Sequence, residues 1–218
     1  MCNYVVAIDD KTLVVTNSAM KKINMVNQDG EVILLKDTKP LYPTFIGRSL
    51  DGGILVSMID KPDFQRQDFS KRVVQHINLT GSIKKTYAYE EDNTTPLFTY
   101  PESVTQNTNT DICVINFSSE STGHLCVLHA SGKVRFTYKG QSDSESLFFP
   151  SDVCCDSHCN IMVSDGVNRS IHLLNSAGQF IKYIMSKTNI VPICMSIIND
   201  HLWIGCEKGE IKLLSIKH

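Results

Sequence analysis

A short apolar run, a polar turn, a second apolar run, a glycine turn and a third run recur along this chain. Leu13-Val-Val-Thr16 is followed fourteen positions later by Gly30, at the end of Ile23-Asn-Met-Val-Asn-Gln-Asp-Gly30. Ile161-Met-Val-Ser164 is followed at the same distance by Gly178, at the end of Ile171-His-Leu-Leu-Asn-Ser-Ala-Gly178. The third runs are Val32-Ile-Leu-Leu35 and Phe180-Ile-Lys-Tyr-Ile184. Ile54-Leu-Val-Ser57 leads in the same way to Gly81, and Ile112-Cys-Val-Ile115 to Gly132. Leu202-Trp-Ile-Gly205 is followed by Ile211-Lys-Leu-Leu-Ser-Ile216. These copies start at 13, 54, 112, 161 and 202, giving intervals of 41, 58, 49 and 41 residues. A further apolar stretch precedes four of them: Tyr4-Val-Val-Ala-Ile8, Pro43-Thr-Phe-Ile46, Ser151-Asp-Val-Cys-Cys155 and Pro192-Ile-Cys-Met-Ser-Ile-Ile198. Each copy predicts four strands, the fifth lacking its last.

Runs of four to eight residues rich in Val and Ile, closed by Asn-Gln-Asp-Gly, Asp-Gly-Gly or Ser-Ala-Gly, are strand signals. No stretch of a dozen residues carries helical periodicity. A period of ~40–50 residues is that of β-propeller blades. Strands sandwiched between neighbouring blades are buried on both faces, so continuous apolar runs replace strict alternation. The predicted fold is all-β: a propeller of four-stranded antiparallel blades in one domain, 1–218, with repeats at about 1–39, 40–90, 97–140, 147–186 and 190–218.

At 218 residues and 42 % hydrophobic the chain can bury a core without staples. A net charge of −2 supplies no global basic field, which disfavours nucleic acid and anionic membrane as partners. The pairs Lys21-Lys22, Lys71-Arg72 and Lys84-Lys85 read as solvated strand edges. Met1-Cys-Asn-Tyr-Val-Val-Ala-Ile-Asp-Asp10 has no basic start and meets acid too early for a signal peptide. No apolar run approaches the ~18 residues of a membrane span. The expected location is the cytoplasm.

The eight cysteines include no Cys-x-x-Cys pair. Cys113, Cys126, Cys155, Cys194 and Cys206 lie in predicted strands, where free Cys behaves as a small hydrophobe. In the cluster Cys154-Cys155-Asp-Ser-His158-Cys159 the adjacent cysteines should point to opposite faces of one strand and cannot chelate together. Asp51, Asp60, Asp156, Asp165 and Asp200 sit at turns, not in a row able to hold a channel calcium for hydrolysis. No Gly-x-Ser-x-Gly, Walker or His-Glu-x-x-His sequence occurs. The expectation is no catalytic residue, no metal, no cofactor and no enzyme activity.

Function is then sought in loops on a rigid scaffold. Twenty-four positions separate Ser57 from Gly81, ten more than in the first copy. The extra segment includes Asp60-Lys-Pro-Asp-Phe-Gln-Arg-Gln-Asp-Phe69, with two phenylalanines between charges. Phe64, Arg66 and Phe69 are the candidate contacts for a protein partner, since aromatic and Arg anchors dominate such interfaces. Gly30, Gly81, Gly132 and Gly178 mark turn positions where positive φ is cheap. Asp165, Asn168 and Arg169 read as a turn brace: Asn tolerates a left-handed turn, and Asp165 can accept turn amides or pair with Arg169.

The fourth copy runs Pro150-Ser-Asp-Val-Cys-Cys-Asp156, Asn160-Ile-Met-Val-Ser-Asp165, Asn168-Arg-Ser-Ile171, Gly178-Gln-Phe180. It resembles the NHL repeat, a Pro-led strand ending in Asp, a second strand ending in Asp, an Asn-Arg turn and a Gly turn. The first copy departs from that pattern at Asn17 and Lys22. From Tyr42 onward the chain resembles the C-terminal domain of tripartite-motif (TRIM)-like proteins, particularly bivalve-mollusc members, including at Phe136-Thr-Tyr-Lys-Gly140 and Leu202-Trp-Ile-Gly205. The resemblance implies a six-bladed propeller that recognises a partner, following a RING, B-boxes and a coiled coil that this sequence does not contain. It also implies single-stranded RNA as the alternative ligand. Five copies against six blades suggest a fragment lacking about one blade; a closed five-bladed ring is the other geometry considered.

Overall fold

The computed structural model describes residues 4–141, 147–186 and 188–216. The first sheet contains β1 (Val5–Ala7), β2 (Leu13–Asn17), β3 (Lys22–Val26) and β4 (Val32–Asp37). The second contains β5 (Tyr42–Arg48), β6 (Ile54–Ile59), β7 (Arg72–Ile77) and β8 (Ile83–Tyr87). The third is β9 (Tyr100–Gln106), β10 (Ile112–Phe117), β11 (Gly123–Leu128) and β12 (Val134–Tyr138). The fourth is β13 (Pro150–Cys155), β14 (Ile161–Asp165), β15 (Ser170–Leu174) and β16 (Phe180–Met185). The fifth has three strands, β17 (Pro192–Ile198), β18 (His201–Cys206) and β19 (Ile211–Ser215). Every sheet is a meander in chain order. Among the described residues there is no helix, and so none long and apolar enough to cross a membrane.

The second strands carry the core. β6, β10 and β14 are buried at every position, which is why their sequences run apolar without alternation. The fourth strands are half-exposed, and each carries at least one Lys or Arg. The chain divides into two compact units, 1–106 and 107–218. In the first, Ile23, Ile46, Ile54, Val56 and Ile77 form one cluster. In the second, Met162, Ile171, Leu202 and Ile204 form another, joining the fourth and fifth sheets.

Hairpin turns between third and fourth strands share one construction. The Asn27 side chain accepts from the amides of Asp29 and Glu31, Asn78 from those of Thr80 and Ser82, and Asn175 from those of Ala177 and Gln179. His129 Nδ1 takes the same place, accepting from Ser131. Three residues on, Gly30, Gly81, Gly132 and Gly178 hold φ between 78° and 98°, the left-handed region predicted for them. Gly47 meets a different demand: a Cβ there would lie 2.1 Å from the Val104 carbonyl oxygen, so only glycine lets β5 approach β9. The adjacent cysteines do diverge. Cys154 enters the second unit's core, while the Cys155 sulfur stands 3.9 Å from that of Cys113 on β10.

Candidate functional site

The β6–β7 link, 60–71, has twelve residues where its counterparts in the first and fourth sheets, 18–21 and 166–169, have four. Its base is fixed by Arg72, the first residue of β7, which is 2 % exposed. The Arg72 guanidinium donates to the Lys61 carbonyl and to Asp63 Oδ1, and its Nε stands 3.2 Å from Asp60 Oδ1. A buried cation held by two carboxylates and a carbonyl is tied at both ends of one loop. This corrects the reading of Lys71-Arg72 as a solvated edge: Lys71 is exposed, but Arg72 turns inward. Sequence patterning treats a basic pair as surface and cannot see Asp60 and Asp63 folding back over it.

Above that base the three candidate residues separate. Phe64 is half-buried and stacks on Tyr100, with ring centroids 4.7 Å apart and planes at 28°. Its role is to hold the loop down, so only one of the two phenylalanines presents itself to solvent. Phe69 is that one, 74 % exposed. Arg66 lies between, its Nε shielded from water without a hydrogen-bond partner, and desolvation lowers its pKa from the ordinary guanidinium value. Arg66 lines a small pocket of about 150 Å³ with Ser70, Lys71, Val73 and Tyr89. Ser70 is buried and accepts from the Gln67 amide, closing the loop's far end. Chemically, this is a firm loop presenting an aromatic ring, a second exposed ring at Tyr89 and an unsatisfied guanidinium N–H. Tyr89 and Arg72 had no signal in the local pattern. Tyr89 comes from the segment after β8.

The repeat-motif residues form a brace. Asp165 Oδ1 accepts from the Asn168 amide at 3.1 Å, and Asp165 Oδ2 accepts from Asn168 Nδ2 at 2.7 Å. The left-handed residue is Arg169, at φ 50°, and not Asn168. Asp165 therefore pairs with Asn168, while Arg169 is exposed and lines a pocket with Glu207, Lys208 and Glu210. The first sheet repeats the device: Met20 donates its amide to Asn17 Oδ1, and Lys21 takes φ 56°. Behind the brace, His172 lies buried among Tyr138, Phe148, Phe180 and Tyr183. The Tyr138 hydroxyl, which accepts from Gln141, stands 2.7 Å from His172 Nδ1, and Ser170 Oγ stands 2.9 Å from His172 Nε2.

The turn acids are engaged locally. Asp51 takes Lys84 and His76, Asp60 faces Arg72, and Asp156 accepts from the amides of His158 and Asn160. Among the described residues no three His, Cys, Asp or Glu side chains converge as a cation site.

No protein-family model matches the chain, and no curated protein matches it. Solved structures do. A chain of a nidogen–laminin complex is 12 % identical, with 99 % of this chain and 76 % of that one covered at a TM-score of 0.71. A gluconolactonase of Xanthomonas campestris is 15 % identical, with 94 % and 69 % covered at 0.66. The WD40 β-propeller domain of Doa1 is 12 % identical, with 99 % and 65 % covered at 0.66. The chain has the β-propeller fold. At these identities the likeness carries the fold alone, and the propellers it matches include an enzyme as well as a WD40 domain.

Proposed function

We propose that this chain is a protein-interaction propeller, the partner-recognition module of a TRIM-like protein, with no catalytic residue of its own. The observation that carries this reading is the 60–71 loop. Arg72, Asp60, Asp63 and the Phe64–Tyr100 stack hold it in place before any partner arrives, which cuts the ordering cost of binding. On that base stand Phe69, exposed, and Arg66, with a shielded donor awaiting an acceptor. Aromatic and Arg side chains of this kind are the anchors of interface hot spots. The fourth repeat's NHL-like sequence supports the TRIM-like assignment.

Affinity capture with the wild-type chain, Phe69→Ala and Arg66→Ala tests it, with unfolding midpoints as the control for folding. The reading predicts that both variants fold and lose the same protein partners. Retention of every partner by both would retire the loop. A second reading has one observation behind it: Arg66 and Lys71 lie beside Tyr89, a cation-and-ring grouping suited to single-stranded RNA. A titration against oligoribonucleotide across salt concentration separates the two, because phosphate contacts give a steep salt dependence and the protein-partner reading predicts no such binding.

A further inference from the structure

The small pocket beside the 60–71 loop is lined by hydrogen-bond donors and, among the described residues, by no carboxylate. Its polar side chains are those of Arg66, Ser70, Lys71, Arg72 and Tyr89; the rest of the lining is aliphatic. Arg72 is already compensated, since Asp60 and Asp63 face its guanidinium and the Lys61 carbonyl accepts from it. Arg66 is not. Its Nε is buried without a hydrogen-bond partner, and no described residue forms an ion pair with it. The acids within electrostatic reach of it are Asp60, which faces Arg72, and Asp68, which is exposed. Burial disfavours the Arg66 cation most, and the neighbouring Arg72 charge adds to that. An anion in the pocket relieves both. Lys71 is exposed and has no ion pair among the described residues.

Ser70 adds a second buried donor. It is 3 % exposed, and its oxygen accepts from the Gln67 amide at 2.9 Å. The hydroxyl hydrogen is then left to donate, and no described residue accepts it. The pocket volume, about 150 Å³, is that of roughly five waters and lies below the range of whole-ligand sites. It admits one end group and not a nucleotide. Two uncompensated cations with two hydroxyls suit a nearly doubly charged, tetrahedral phosphomonoester better than a singly charged, planar carboxylate. The phosphodiesters of a nucleic acid strand also carry a single charge each.

We propose that this pocket takes the phosphate of a phosphorylated serine or threonine on the partner protein, with Arg66 as its main contact and Ser70, Lys71 and Tyr89 around it. Phosphorylation of the partner then switches recognition on, through charge-assisted hydrogen bonds of the kind Arg clusters make to phosphate. Phe69, next to Ser70 in the chain and exposed, supplies apolar contact to the flanking residues. This deepens the reading of the 60–71 loop and rests on it for the partner being a protein.

Heteronuclear NMR titration of the whole chain with N-acetyl-phosphoserine amide tests the proposal, beside the serine and glutamate counterparts and a short oligouridylate. Phosphoserine should give saturable shifts at the Arg66 Nε–H and at the Ser70 and Lys71 amides, with a Kd of ~1–10 mM, the scale of a few charge-assisted contacts. Arg66→Ala should weaken binding ~tenfold or more and Lys71→Ala roughly three- to five-fold, as for a shielded and an exposed charge contact. Unchanged shifts elsewhere in the spectrum are the control for folding. No saturable shift at ~20 mM phosphoserine, equal binding of the glutamate compound, or undiminished binding by Arg66→Ala would overturn the proposal. So would oligouridylate moving the same resonances at a lower concentration than phosphoserine, which would assign the pocket to RNA. The two readings fail separately. A silent titration with capture still lost in Phe69→Ala strikes only the phosphate, and phosphoserine binding with every partner retained strikes only the loop as the partner's contact.

Discussion

Residues that hold the fold and residues proposed to meet a partner separate in the 60–71 loop, and they predict opposite outcomes. Arg72→Met leaves Asp60 beside an apolar side chain, an uncompensated carboxylate, and should cost about 3 kcal/mol in urea unfolding. Phe69→Ala removes a ring already in water and should leave stability within ~0.5 kcal/mol while abolishing partner capture. Gly47→Ala should cost about 2–3 kcal/mol, since its Cβ would press on the Val104 carbonyl. Gly30, Gly81, Gly132 and Gly178 were legible because a turn writes its glycine into the local sequence. Gly47 was not, because its requirement comes from Val104, far along the chain. Arg72 was misread for the same reason: its partners are on the loop that folds over it. Both phenylalanines read as exposed in the sequence; Phe69 is exposed, whereas Phe64 is half-buried because the fold brings Tyr100 against it.

At the level of strands and turns, the period of apolar runs located the second and third strands of every sheet. β9 was missed as a run: Tyr-Pro-Glu-Ser-Val-Thr-Gln is mostly polar, yet Ser103 and Val104 are buried. Neighbours, and not its own patterning, make it a strand. The Asn that stands three residues before Gly30, Gly81 and Gly178 was visible in the sequence, but its use as a turn acceptor emerges only from the geometry. Asn175→Ala should cost about 1 kcal/mol, by exposing the Ala177 and Gln179 amides to water instead of the carbonyl.

The second and third sheets also carry pH dependence. Burial pulls the Asp51 carboxyl up, but hydrogen bonds from Lys84, Ser49 and His76 outweigh it and hold the group below the ordinary carboxylate range. A depressed folded-state pKa stabilises above the unfolded value and is lost as pH falls through the folded one. Acid should therefore destabilise the chain below about pH 4, the unfolded Asp value. Asp51→Asn should remove part of that slope. His124 acts at higher pH: burial, with Lys139 adding to it, depresses its pKa. Its contribution is present above about 6.5, the unfolded His value, and is lost as pH falls. A His124→Gln chain that kept the full slope from pH 7 to 5 would contradict this.

For the whole molecule, the apolar surface that matters lies on the first and last sheets. Val5, Leu13, Val32 and Leu34 share one exposed face of the first sheet, and Trp203, Ile211 and Leu213 one exposed face of the fifth. Contiguous apolar faces favour association, so sedimentation velocity should show self-association that Leu34→Lys and Trp203→Lys reduce. Among the described residues four four-stranded blades and a three-stranded fifth make a scaffold, and we propose that its chemistry resides in what it holds. Site-specific photo-crosslinking tests that most directly. With a benzoylphenylalanine in place of Phe69, and in a second chain in place of the exposed Ile83, the account predicts a protein adduct at 69 that is absent at 83 and is lost when Arg66→Ala is added. Equal adducts at both positions, or an adduct at 69 indifferent to Arg66, would contradict it.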